Sequence, residues 1–161
     1  MPFFRKYNRE KKNKHTSQNQ SSNILRSQLL SSVLFENISE IQSIFSQAPD
    51  LVVKNFVIKQ TQSQASLVYL SGLTDKAAIQ NHVLNPLLFE ANKKFKDFDV
   101  QVSLGRVEQV TTWGDIESAI LEGTSILFIE GRTKAYQCET QGWPQRGIED
   151  TSIESSLRGW N

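Results

Sequence analysis

The chain has 161 residues, of which 38% are hydrophobic, and it carries a formal net charge of +1. Its one cysteine, Cys138, excludes an internal disulfide and fits a reducing compartment. No stretch approaches the roughly 18 consecutive apolar residues of a membrane span, and the N-terminus lacks the apolar middle of a secretion signal. We therefore expect this chain by itself to be soluble.

Charge is distributed unevenly along the chain. Residues 1–15 hold six basic residues and one acidic residue, whereas the remainder holds 12 basic and 16 acidic residues. We predict that residues 1–22 form a disordered basic and polar tail, because they contain too few apolar side chains to pack. The tail is either a solvated leader or an attachment to an anionic membrane surface. The acidic remainder has no basic stripe, which argues against nucleic-acid binding.

Residues 23–47 show the longest helical pattern. Asn23 can cap the start, and Pro49 ends the stretch. Apolar residues recur at steps of three and four, which predicts a helix face that packs on a sheet. That face contains Leu30, Val33, Leu34, Ile38, Ile41, Ile44 and Phe45.

The middle of the chain predicts two strands, a helix and a short strand. The strands span residues 51–58 and 67–70, and the helix begins after Thr74 or Asp75. Pro86 restarts or kinks this helix, which continues to about residue 95. Residues 100–104 alternate and predict a short strand, and residues 105–112 are interpreted as a lead-in to the next element.

The stretch from Trp113 onward organises the rest of the chain. A short helix ends at Gly123, whose position after a helix favours a positive φ. The apolar run Ser125–Ile129 has no polar alternation, which predicts a strand covered on both faces at the centre of a sheet. A returning strand spans residues 134–138. The order of elements predicts an α/β fold with a mixed sheet packed by helices.

The sequence shows no constellation typical of catalysis. There is no Gly-rich phosphate loop, no Ser in a nucleophile elbow, and His15 and His82 are too isolated for a zinc site. Cys138 falls in a predicted strand, where a small buried side chain is the expected role. We therefore expect a protein that is not an enzyme and that uses no metal or cofactor.

Several blocks, taken in order, carry a family resemblance. The blocks are IQSIF at 41–45, PDLVVKNF at 49–56, LVYLSGLTD at 67–75, HVLNPLL at 82–88, WGDIE at 113–117, ILEG at 120–123, LFIEG at 127–131, GWPQR at 142–146, IE at 148–149, Glu154 and LRG at 157–159. On these blocks, the chain from residue 24 to residue 159 resembles the N-terminal domain of the A subunits of bacterial spore germinant receptors.

The resemblance implies a role in nutrient sensing and in the initiation of spore germination. Such A subunits work with B and C subunits in the spore inner membrane and respond to small nutrients. The family's N-terminal domain has two α/β subdomains separated by a cleft, followed by membrane helices. In that interpretation residues 1–22 are the tail, residues 23–149 form the first subdomain, and residues 150–161 begin the connection to a second subdomain that this sequence lacks. The alternative is a structural module that serves assembly of the receptor without sensing.

The turn-rich stretch from Trp143 to Arg158 is the predicted location of ligand or signalling contacts. It combines Trp143, Arg146, Glu149, Glu154 and Arg158, and loops held by a scaffold commonly carry binding residues. Arginine offers a planar fork for a carboxylate, so these charges can equally pair with one another and serve only the fold. Both interpretations remain open from the sequence.

Overall fold

The structure, a computed structural model, describes residue 24 and residues 26–89 and 107–142. The predicted tail and the predicted 100–104 strand lie outside these residues. The helices are α1 (Leu34–Ile44), α2 (Lys76–Ala78), a π-helical segment (Ile79–Leu84), α3 (Asn85–Phe89) and α4 (Trp113–Leu121). The strands are β1 (Leu51–Val57), β2 (Gln64–Leu70), β3 (Val107–Val110), β4 (Ser125–Ile129) and β5 (Ala135–Cys138).

The five strands form one sheet in the order β1-β2-β4-β5-β3. The predicted α/β fold, a sheet packed by helices, is confirmed. The expectation of a mixed sheet is refined, since every strand pair in the described part is antiparallel. β3 and β4 run in the same direction, but β5 lies between them and pairs with both. A connection through a helix, such as α4, allows two strands to pair in parallel. Because β5 lies between β3 and β4, these two strands do not pair with each other.

β4 is the central strand, and all five of its residues are buried. Ile126 and Phe128 point to one face, where they join a core formed with α1 and α4. Leu127 and Ile129 point to the other face, where they join a core formed with the π-helical segment and α3. The prediction of a central strand covered on both faces is therefore confirmed, because side chains alternate between the two faces of a strand.

The helix predicted over residues 23–47 is interrupted: residues 24, 26 and 27 are helical, residues 28–33 are not, and α1 begins at Leu34. The buried amide of Asn37 accepts from the Ser31 backbone N–H (3.0 Å) and donates to the Ser31 carbonyl (2.7 Å). Glu130, on the turn after β4, accepts from the Leu34 N–H at 2.8 Å. Val33 provides no side-chain cap, so the carboxylate of Glu130, 96 residues away in the sequence, accepts a hydrogen bond from a free N–H group at the start of the helix.

The apolar face predicted for α1 is confirmed except at Val33, which precedes the helix and is 41% exposed. Leu34, Ile41 and Phe45 are buried in the same core as Ile126 and Phe128. Leu30, which precedes the helix, belongs to this core as well, and Ile38 packs against it while partly exposed.

Replacing Glu130 tests the long-range cap. Glu130→Ala should lower the free energy of unfolding by about 1–2 kcal/mol, because the Leu34 N–H loses a charged acceptor at a helix N-terminus. Urea denaturation measures the change. The control is Glu122→Ala, at the exposed end of α4, which should change stability by less than about 0.5 kcal/mol. Equal effects of the two substitutions would contradict the cap.

The stretch interpreted as a lead-in contains strand β3. Val107–Val110 pairs with β5 in the register Val107↔Cys138 to Val110↔Ala135. The interpretation of residues 105–112 as a lead-in did not include this strand. Only Val110 of the four residues is buried, so this edge strand shows little of the apolar pattern that identifies a strand in sequence. Strand β2 likewise begins at Gln64, earlier than the predicted residue 67.

The helical stretch after β2 passes through Pro86 by changing its hydrogen-bond register. Six residues, Ile79–Leu84, form a π-helix between α2 and α3, and the Asn85 N–H donates to the Gln80 carbonyl. Proline has no N–H to continue the α-helical ladder, and in an α-helix its ring would crowd the carbonyl four residues earlier. The wider π turn accommodates Pro86 without ending the helix.

Candidate functional site

An open cavity of about 620 Å³, most of whose described lining residues are exposed, lies between the sheet edge formed by β1 and β2 and the start of the helical stretch 76–84. Val52 and Lys54 are two residues apart on β1 and therefore point to the same face. Val52 is paired in register with Tyr69, which brings the Tyr69 ring to this side of the sheet. The described lining residues are Val52, Lys54, Tyr69, Ser71, Lys76, Ala77, Ile79 and Gln80.

Two lysines give the cavity a positive charge. Lys54 contributes from the edge strand and Lys76 from the first turn of α2, and none of the described lining residues is acidic. Within the described part of the chain, neither ammonium has an ion-pair or hydrogen-bond partner. A positively charged concave surface concentrates anions.

Tyr69 places a phenol at the wall of this cavity. The residue is only 6% exposed, and its ring belongs to the core beneath the π-helical segment. Among the residues described, its hydroxyl has no hydrogen-bond partner. No buried side-chain nitrogen or oxygen in the described part lacks a partner, so this hydroxyl is the solvent-accessible end of the side chain and can donate to a bound molecule.

The helical wall of the cavity has an unusual backbone geometry. Ile79 and Gln80 open the π-helix and also line the cavity. π-helical turns are rare and are frequently found at functional sites. Gln80 is held in place because its amide donates to the Asn85 Oδ1 at 2.6 Å.

The residues that precede α2 are hydrogen-bonded to residues 140–142. The Asp75 side chain accepts from the Ala77 N–H at 2.9 Å, and the Asp75 N–H donates to the Thr140 carbonyl at 2.8 Å. Thr74 and Gln141 form an isolated antiparallel bridge, and the Gly142 N–H donates to the Leu73 carbonyl at 2.9 Å. The residues that precede Trp143 are thus anchored beside the cavity wall.

The site residues predicted from the sequence, Trp143, Arg146, Glu149, Glu154 and Arg158, lie outside the described residues, so that prediction stays untested. The cavity residues were missed. In the sequence, Lys54 is only a charged residue within an apolar strand, and Lys76 is only the residue after a helix cap. Neither position indicates a binding site. Only the register of β1 with β2, together with the packing of α2, joins them to Tyr69.

A second concave surface, of about 320 Å³, lies between β3 and α4 and is acidic. Glu108, Asp115 and Glu122 line it, and Asp115 accepts from the Thr112 hydroxyl at 2.7 Å as part of the α4 cap. In the part of the chain that the structure describes, no group of three or more His, Cys, Asp or Glu residues could hold a metal ion. We assign this acidic surface no ligand.

Cys138 is buried in strand β5, as its position in a predicted strand indicated. Burial away from water raises the pKa of its thiol to about 12. The thiol is therefore neutral at physiological pH, and a neutral thiol is a poor nucleophile.

Comparison with known proteins identifies the family. The model of the Bacillus/Clostridium GerA spore germination protein family matches residues 39–161. The chain belongs to the GerA family. This confirms the resemblance found in the sequence blocks.

Relatives in the GerA family match most of this chain but only part of their own length. Spore germination protein KA of Bacillus subtilis (strain 168) is 29% identical over 81% of this chain and 25% of the relative. Spore germination protein GerLA of Bacillus cereus is 28% identical over 78% of this chain and 27% of the relative. The chain therefore spans about a quarter of the length of the curated relatives that it matches.

A solved structure has the same fold. The N-terminal domain of the A subunit of the Bacillus megaterium spore germinant receptor GerK3 superposes with a TM-score of 0.59 at 25% identity. The match covers 73% of this chain and 49% of the GerK3 domain. Within residues 26–89 and 107–142, no helix combines the length and the apolar character needed to cross a membrane.

Several residues of the family blocks serve the fold. Trp113 is buried with its ring centroid 6.1 Å from that of Phe128. Gly114 lies where a Cβ atom would meet the Arg26 carbonyl at 3.2 Å. Glu130 caps α1. These roles explain the blocks at 113–117 and 127–131 without assigning them ligand contacts.

Proposed function

We propose that this chain is the N-terminal portion of a germinant-receptor A subunit and contributes to nutrient sensing and the initiation of spore germination. The GerA family match and the fold shared with the GerK3 domain support the germination role. In this proposal the complete subunit works with B and C subunits in the spore inner membrane. The domain itself catalyses no reaction and needs no cofactor.

One observation supports sensing by this domain: the cavity holds unpaired polar groups beside residues 140–142, which precede Trp143 in the sequence. A ligand that contacts Lys76 or Gln80 would bias the position of the helical stretch 76–84. That stretch is hydrogen-bonded through Asp75 to Thr140, two residues before Gly142. Ligand binding would thereby shift the conformational equilibrium of the Trp143–Arg158 stretch, in which the sequence predicts signalling contacts.

The alternative, a module for receptor assembly, has its own supporting observation. Apolar side chains at the start of α1 are exposed, with Phe35 at 78% and Leu29 at 67%. Leu29 and Phe35 are near in sequence, and contiguous exposed apolar groups are typical of protein interaction surfaces. Helix α1, which carries Phe35, packs on one face of the sheet, and the cavity lies on the opposite face.

Germination of spores that carry variants of the complete subunit separates the two functions. Lys54→Met with Lys76→Met keeps the length of both side chains but removes both charges from the cavity. Sensing predicts a rise of about tenfold or more in the nutrient concentration for half-maximal germination, because each lost charged contact weakens binding by about tenfold. Receptor abundance, measured by immunoblot, should stay unchanged.

The matched control is Lys134→Met, a lysine near the β3–β5 edge and away from the cavity. It should leave the nutrient response unchanged. A normal response of the double variant over a full nutrient titration would contradict sensing through this cavity. Loss of receptor protein in Phe35→Asp, with normal abundance of the double variant, would favour the assembly function.

A further inference from the structure

We propose that the cavity between β1, β2 and the helical stretch 76–84 binds a small organic acid through its carboxylate. The ammonium groups of Lys54 and Lys76 and the hydroxyl of Tyr69 are the assigned contacts. The inference names the ligand class for the sensing site, so its biological meaning rests on the proposed function. The binding itself is measurable without germination.

The charge of the lining selects an anion. Lys54 and Lys76 bring two positive charges to one concave surface, and no described lining residue carries a compensating negative charge. A carboxylate gains charge-assisted hydrogen bonds from ammonium groups. A zwitterionic amino acid would bring its own ammonium to the same two lysines, and like charges at short range repel. The lining therefore favours an acid that has no amino group.

The tyrosine supplies a directional contact. Tyr69 is more than nine-tenths buried, and its hydroxyl, which is accessible to solvent, has no partner among the described residues. A phenol can donate to a carboxylate oxygen while its ring stays packed in the core. The ring is held against the sheet, so the hydroxyl is positioned before the ligand arrives, which lowers the entropy cost of binding.

The apolar part of the lining indicates that the carboxylate sits on a carbon skeleton. Val52, Ala77 and Ile79 present aliphatic groups to the cavity. Ligand pockets typically combine such apolar walls with a few polar groups that fix orientation. Inorganic phosphate would satisfy the lysines but would leave the aliphatic wall without a contact.

Titration of the 161-residue chain, followed by amide chemical shifts in NMR spectra, tests the ligand class. The probes are benzoate and succinate, with benzamide and succinamide as neutral analogues of the same shape. Inorganic phosphate and L-alanine are the other two probes. We expect saturable binding of at least one acid, and at least tenfold weaker binding of its amide, of phosphate and of L-alanine. Equal binding of acid and amide, or tighter binding of phosphate or L-alanine, would overturn the assignment.

Variants test the residues. Lys54→Met and Lys76→Met should each weaken binding of the acid about tenfold, and Tyr69→Phe about threefold to tenfold. Lys134→Met should bind as tightly as the parent chain. Circular dichroism melting confirms that each variant is folded. A cavity variant that folds and binds like Lys134→Met would remove that residue from the site, and the same result for all three would overturn the proposal.

The outcome also separates this inference from the proposed function. If no acid binds although the double lysine variant desensitises spores, the ligand class is wrong and sensing stands. If an acid binds as expected while those spores respond normally, the ligand class stands and sensing through this cavity is wrong.

Discussion

Ile41→Ala is expected to lower the free energy of unfolding by about 2–5 kcal/mol. The side chain is fully buried in the core that α1 and α4 form with one face of the sheet. Truncation removes most of its apolar contacts and leaves a cavity beside the central strand, which contributes Ile126 and Phe128 to the same core. Protein interiors are close-packed, so neighbouring side chains fill such a cavity only in part.

Phe35→Ala is the matched control on the same helix. Phe35 is 78% exposed, and its removal should change stability by less than about 0.5 kcal/mol. Urea denaturation of both variants, with the slope of the transition compared, measures the difference. A loss of less than 1 kcal/mol in Ile41→Ala would mean that α1 does not pack on the sheet as described.

Gly123→Ala is expected to cost about 2–4 kcal/mol, for two separate reasons. Gly123 follows α4 with a φ of +89°, a conformation that costs a residue with a Cβ atom about 1–2 kcal/mol. That Cβ atom would also lie 2.7 Å from the Leu73 carbonyl oxygen, closer than van der Waals contact allows. The opposing atom belongs to the backbone, so relief requires the two segments to move apart.

Gly131→Ala separates the two contributions. Gly131 has a similar φ of +83°, but a Cβ atom there would meet no other atom within 4 Å. It should therefore cost only the conformational part, about 1–2 kcal/mol. Thermal and urea denaturation of both variants measure the difference. Equal losses at the two positions would show that Leu73 does not approach Gly123 closely.

The close approach at Gly123 also bears on the candidate site. Leu73 immediately precedes Thr74 and Asp75, which lead into the helical wall of the cavity. Residues 73–75 are hydrogen-bonded to residues 140–142. A substitution at Gly123 would displace that segment. Such a variant therefore tests the fold and is unsuitable as a test of sensing.

The sequence by itself determined the elements whose signals are local. Ser125–Ile129 is a continuous apolar run, and a strand buried on both faces needs no polar alternation. The apolar face of α1 followed from steps of three and four residues. Gly123 marked the end of α4 because glycine tolerates the positive φ found there. The family, too, was recognisable from the order of its blocks.

Tertiary structure decided the features that depend on residues distant in the chain. The start of α1 is set by Glu130, and β3 exists as a strand because β5 pairs with it. The cavity exists because strand register places Lys54 and Tyr69 on one face and the helical stretch brings Lys76 to them. The sequence does not show which groups will surround a charged side chain or a phenol, because those surroundings form only when separate segments pack together.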